Sequence, residues 1–141
     1  MKVLFVCRGN VGRSQMAEAL FSKYSGQQAF STGTNVLENE NKKIKEIPLA
    51  EPVIRFMKKE NIDISENVRN QLTEEKIKDF DKIIVMAESE HIPKYLLDNP
   101  KMEFWDIKDP KGMDDKCYEK IISQLKSKIL KFMKENNIKR I

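Results

Sequence analysis

Apolar positions along the chain fall into two rhythms. Val3-Leu4-Phe5-Val6 is a continuous run rich in strand formers and followed by a glycine-bearing segment, as expected of a strand buried on both faces. From Ser14 the period lengthens, with Ala17, Leu20, Phe21 and Tyr24 at helical spacing and Gly26 as a stop. The opening therefore predicts strand, tight loop and helix. Ala29 to Thr32 fits a second short strand. Gly33 to Pro48 is rich in Asn, Glu and Lys, shows no period, and is expected to be a mobile loop. Pro52 at a first helical position, with Val53, Phe56 and Met57 behind it, starts a helix ending near Asn61. Ile77 and Phe80 suggest a short helix, Lys82 to Met86 a third buried strand, and Phe104-Trp105 a fourth.

From Asp114 onward, Tyr118, Ile121, Ile122, Leu125, Ile129, Phe132 and Met133 make one apolar stripe, with acids at its start and lysines towards its end. This predicts a long amphipathic helix oriented with its dipole. Strands alternating with helices imply an α/β fold, a parallel sheet covered on both faces, with ligands beyond the carboxyl ends of the strands. Cys7 sits at such an end. No repeat or linker interrupts the pattern, so residues 1–141 are expected to form a single domain.

Composition narrows the partners. Apolar residues make up 40% of the 141, enough for an ordinary core. The 26 Lys and Arg nearly balance the 22 Asp and Glu, and a net charge of +4 is too weak a signal for nucleic-acid binding. Lys dominates; Arg occurs only at positions 8, 13, 55, 69 and 140, two of them beside Cys7. Cys7 and Cys117 match neither a zinc-ligand spacing nor a disulfide framework, which implies free thiols and a reducing compartment. The first apolar run is too short for a signal-peptide core or a membrane span. A cytoplasmic protein without membrane partners is expected.

The candidate chemistry lies in Cys7-Arg8-Gly9-Asn10-Val11-Gly12-Arg13-Ser14. A thiol at a strand end is followed six residues later by an Arg where a helix begins. Gly9, Asn10 and Gly12 tolerate positive φ, so the chain can curl with its backbone N–H groups inward as an anion nest. The helix start adds unpaired donors and favourable dipole charge. Arg13 can grip two oxygens of a tetrahedral anion in a planar fork. The same positive field favours Cys7 as a thiolate, and Ser14 can donate a hydrogen bond to the sulfur.

These residues resemble the low-molecular-weight protein tyrosine phosphatase and arsenate reductase superfamily over most of the chain. Cys7 to Ser14 meets the Cys-x5-Arg-Ser pattern, Asn10 included. Ser31-Thr32-Gly33-Thr34 is similar to a Ser-Ala-Gly-Thr segment, Phe80-Asp81 with Ile83-Ile84 to the approach to the third strand, and Asp109-Pro110 to a late Asp-Pro. The resemblance implies a four-stranded parallel sheet flanked by helices. It implies Cys7 as nucleophile, Arg13 as transition-state clamp and Asp109 as the acid that protonates the leaving oxygen. Arg8, Gly9, Asn10, Val11, Gly12 and Ser14 would bind substrate: the backbone as cradle, Asn10 shaping the loop, Ser14 assisting the thiolate. No metal or cofactor is implied, and the substrate would be a phosphorylated protein or a small phosphate ester.

Departures bear on the substrate. Ser14-Gln15-Met16-Ala17-Glu18 and Trp105-Asp106-Ile107-Lys108-Asp109-Pro110 look more like the arsenate reductase branch. The thioredoxin-coupled reductases, however, carry two further cysteines near the end of the third strand, where this chain has Met86-Ala87-Glu88. Reduction would therefore need an external thiol as partner. Lys111-Gly112 follows Asp-Pro where phosphatases commonly have an aromatic, which leaves phosphotyrosine preference open.

Outside the loop, Cys117 is expected to be a packed helical residue rather than a resolving thiol, His91 a surface residue, and Trp105 core. Arg8 either meets an anionic substrate flank or is solvated. Arg69 and Lys42-Lys43-Ile44-Lys45 are expected at the solvated surface, with residues 35–48 a weaker candidate for the pocket rim. Three functions follow: a phosphomonoesterase working through a phosphocysteine, a single-thiol arsenate reductase, or a phosphate-binding module without turnover.

Overall fold

The computed structural model describes residues 1–141. Four parallel strands, β1 Val3–Cys7, β2 Phe30–Gly33, β3 Lys82–Val85 and β4 Met102–Phe104, form one sheet in the order β2-β1-β3-β4. The chain crosses from β1 to β2 on one side, then returns to β3 on the other. This reversal leaves a crevice at the carboxyl end of β1, where Cys7 is paired with Gly33.

Alternation along β1 explains the two-sided core. Val3 and Phe5 face α1 Arg13–Ser25, α2 Glu51–Lys59 and α4 Asp115–Glu135. Leu4 and Val6 face a smaller cluster with Ile77 from a 3-10 turn at Lys76–Asp79, Leu96 from the short α3 Lys94–Leu97, and Leu72 and Ile92 from the connecting segments. Helices thus cover both faces, the heavier layer on the first. All seven stripe residues of α4 are buried, and Phe132 meets both Phe21 and Trp105 edge-on. Gly26 closes α1 in the left-handed region at φ 70°, donating to Ser22 O, a conformation that favours glycine. Asp114 caps α4 by accepting from Cys117 N.

The segment from Gly33 to Pro48 departs from expectation. It is built of turns at Leu37–Asn39 and Ile44–Glu46, continuing to Pro48–Ala50, and it buries Val36 and Ile44. Lys43 bridges to Val68, and Arg69 N donates to Lys42 O. Turns of three residues have no period to detect, so the two buried side chains were hidden among polar neighbours. β4 also lies slightly earlier than Phe104-Trp105, because Trp105 leaves the strand to enter the core. No helix is long and apolar enough to cross a membrane.

Candidate active site

Cys7 ends β1 buried at the mouth of the crevice, and residues 8–12 curl from it into α1. None of the backbone N–H groups of Arg8 to Gly12 donates to another group of the protein. Five successive amides beside one sulfur are therefore open to an anion, and the start of a 13-residue helix adds to their field. Only Asn10, at φ 55°, uses the left-handed region; Gly9 and Gly12 do not, which corrects the expectation for these two.

Asn10 is fully buried and fixes the loop from both ends of its amide. Its oxygen accepts from Asn70 N at 2.7 Å. Its nitrogen donates to Ser14 Oγ at 2.8 Å and to Ser31 Oγ at 3.0 Å. Ser14 Oγ lies 3.0 Å from Cys7 Sγ. Buried Gln15 ties the loop to its neighbour, donating to Asn10 O at 3.2 Å and Val68 O at 3.1 Å while accepting from Asn67. The run Asn67 to Asn70 thus backs the loop, a role the sequence reading missed. Its signal was a string of amide side chains between the core residues Ile64 and Leu72.

Arg13 does not stand free in the loop. NH1 and NH2 face the carboxylate of Glu88 at 3.2 and 3.0 Å, and NH1 also donates to Met86 O and Ile107 O. Burial works against its charge, but the hydrogen bond to Glu88 and the nearby Cys7, Asp109 and Glu88 charges raise its pKa overall. Burial pushes Glu88 up, yet the Arg13 hydrogen bonds and charge hold it below its ordinary value. None of these bonds uses Nε. Glu88 occupies the end-on edge of the guanidinium and leaves the side-on edge, Nε with the second hydrogen of NH2, for a ligand. Asp109 Oδ2 lies 3.8 Å from NH2, with its side chain 46% exposed, and Asp109 Oδ1 accepts from Lys111 N. Glu88 was another omission, although an acid just past a strand's carboxyl end is placed where α/β ligands sit.

Cys7, Arg8, Gly9, Val11, Gly12, Arg13 and Asp109 line one cleft of about 350 Å³. Asn10 and Ser14 lie behind it. Ile47, Leu49 and Val53 give it an apolar side, and Tyr118, stacked on Phe56 with ring centroids 5.6 Å apart, brings an aromatic from α4 that the sequence lacks after Asp-Pro. Arg69, expected at the solvated surface, also lines the cleft and donates from Nε to Gly9 O at 2.9 Å. Cys117 borders a separate depression with Met113 and Lys120.

The fold and loop define an α/β protein with a run of unpaired backbone amides beside a cysteine at a topological switch point. The chain belongs to the low molecular weight phosphotyrosine protein phosphatase family, whose model matches residues 2–140. It is 28% identical over 131 residues to an arsenate reductase of Staphylococcus aureus strain N315, covering 92% of this chain and 94% of that one. Among solved structures it resembles a low molecular weight protein tyrosine phosphatase from T. tengcongensis, 31% identical, TM-score 0.78, covering 96% and 99% of the two chains. It also resembles an arsenate reductase from Archaeoglobus fulgidus, 29% identical, TM-score 0.70, covering 93% and 98%. The family therefore contains both phosphatases and arsenate reductases, and this chain is similar to each.

Proposed function

We propose that this protein is a phosphomonoesterase of the tyrosine phosphatase type. The sulfur of Cys7 attacks phosphorus in line, the phosphorus–oxygen bond to the leaving group breaks, and Asp109 passes its proton to the departing oxygen. Water then attacks the phosphocysteine, the sulfur–phosphorus bond breaks, and Asp109 takes a proton from that water. The open amides of residues 8–12 and the side-on edge of Arg13 hold the equatorial oxygens in both steps. Ser14 stabilises the sulfur as it leaves.

One observation carries this reading: the cleft combines a single thiol with a carboxylate, Asp109, whose Oδ2 lies 3.8 Å from Arg13 NH2. Tyr118 and Val53 offer the apolar wall an aryl phosphate needs. A second reading rests on the arsenate reductase relatives. Arsenate would condense with the Cys7 thiol, releasing water. An external thiol pair would then supply two electrons, leaving arsenite and a disulfide. The test is a side-by-side assay of phosphotyrosyl peptide hydrolysis and of arsenate reduction with glutathione or a glutaredoxin. Hydrolysis without reduction is the expected result; reduction without hydrolysis would overturn the first reading.

A further inference from the structure

The cations of the cleft divide into one that is neutralised and three that are not. Arg13 faces Glu88 and Asp109, whereas Arg8, Arg69 and Lys111 have no carboxylate within 4 Å. Arg8 and Lys111 are exposed, where water compensates an unpaired charge. Arg69 is only partly exposed. Its Nε is committed to Gly9 O, which fixes the guanidinium plane and leaves both terminal amino groups unbonded. NH2 stands 3.5 Å from where a β-carbon on Gly9 would lie, so the group rests against the loop itself. Burial works against its charge, and Cys7 restores part of it. A fixed, partly desolvated guanidinium without an anion is stabilised when one arrives, and its two free amino groups match a carboxylate.

We infer that Arg69 forms a second anion subsite, which takes the carboxylate of an acidic residue next to the phosphorylated residue of a protein substrate. The inference rests on the phosphatase reading for its substrate. A polypeptide suits the site better than a small dianion, because Leu49, 52% exposed, and Ile47 give the same cleft an apolar rim that a free anion would not use. Arg8, exposed beside Gly9, extends the positive side of the cleft.

The test is calorimetric titration of the protein with peptides carrying a non-hydrolysable phosphonate analogue of phosphotyrosine, flanked on both sides by Glu or by Gln. The Glu peptide should bind about fivefold tighter, in line with a partly buried charge pair. That ratio should fall to about one in Arg69→Gln and recover in part in Arg69→Lys, which keeps the charge but not the fork. Equal affinities in the unmodified protein, a ratio that survives in Arg69→Gln, or no binding of either peptide would each overturn the inference. Equal weakening of both peptides by Arg69→Gln would also overturn it, assigning Arg69 to loop support through Gly9. Should Arg69→Gln not fold, Arg69→Lys and loss of the ratio at high salt decide. Selective binding without hydrolysis of the matching phosphotyrosyl peptides would count against the phosphatase reading alone.

Discussion

Asn10 Nδ2 stands 2.8 Å from Ser14 Oγ, and because an amide nitrogen only donates, the Ser14 oxygen is the acceptor and its proton is left for Cys7 Sγ, 3.0 Å away. Asn10, three positions along the chain from Cys7, thus leaves the Ser14 proton free to turn to the sulfur. Ser14→Ala should slow breakdown of the phosphocysteine more than its formation. Stopped-flow hydrolysis of p-nitrophenyl phosphate should show a burst in that variant, with the steady rate reduced about 10- to 100-fold, of the order of a charge-assisted hydrogen bond. No burst and an unchanged rate would remove Ser14 from the mechanism.

Arg13→Lys should not rescue function. A lysine cannot face Glu88 end-on, reach Met86 O and Ile107 O, and still offer a second edge to phosphate. The expected loss in kcat/KM is about 10²-fold or more, comparable with loss of an oxyanion donor. Activity within a few-fold of the parent would mean that charge alone suffices.

Asp109→Asn should slow a phosphotyrosyl peptide far more than p-nitrophenyl phosphate, whose leaving group scarcely needs a proton. General acids contribute about 10²–10⁴-fold where the leaving oxygen is basic. Equal slowing of both substrates would return Asp109-Pro110 to the role of a turn, in which Asp109 Oδ1 merely accepts from Lys111 N.

Glu18 should make stability fall as pH rises. Burial pushes its carboxyl up from 4.5 to about 7, against a hydrogen bond with Ser31. Between those values the folded state holds a proton that the unfolded chain has released, so folding is favoured below about 4.5 and loses up to about 3 kcal/mol by pH 7 and above. Glu18→Gln should remove that slope in urea denaturation at pH 5 and pH 8, and a slope unchanged by the substitution would show that another group carries it.

Gly33 and Gly12 should respond oppositely to alanine. A β-carbon at Gly33 would lie 2.7 Å from Arg8 O and 2.8 Å from Asn10 N, both backbone atoms, whereas at Gly12 nothing lies within 4 Å. Gly33→Ala should cost about 1–3 kcal/mol or more, as overpacking does, while Gly12→Ala should stay within about 0.5 kcal/mol. Thermal unfolding of the two variants separates these outcomes.

The elements that pack by a repeating period were legible in the sequence: β1, α1 and the seven-residue stripe of α4 lie where their hydrophobic spacing puts them. The Cys7–Ser14 loop was legible too, because residue types with narrow uses follow a strand and precede a helix. What escaped is held by polar contacts between distant segments. Glu88, Arg69, Asn70 and Asn67 act on the loop and on Gln15 behind it from 52 to 75 residues away, and a charged or amide side chain carries no mark in sequence of whether it meets water or a buried partner. The glycines misled in a related way, since tolerance of positive φ is a permission that Gly9 and Gly12 do not use.

The backing of the loop by residues 67–70 bears on transplantation. Eight contiguous residues spell the motif, yet the orientation of Asn10 comes from Asn70 N and Ser31 Oγ, that of Gln15 from Asn67 and Val68, and the floor from Gly33. Grafted onto another strand and helix, the octapeptide would bring its cysteine without the wall that shapes it. The smallest portable unit is the octapeptide together with the end of β2, the polar strip that follows α2 and the Met86–Glu88 segment after β3 that holds Arg13, pieces that this sheet order brings to one end of the sheet.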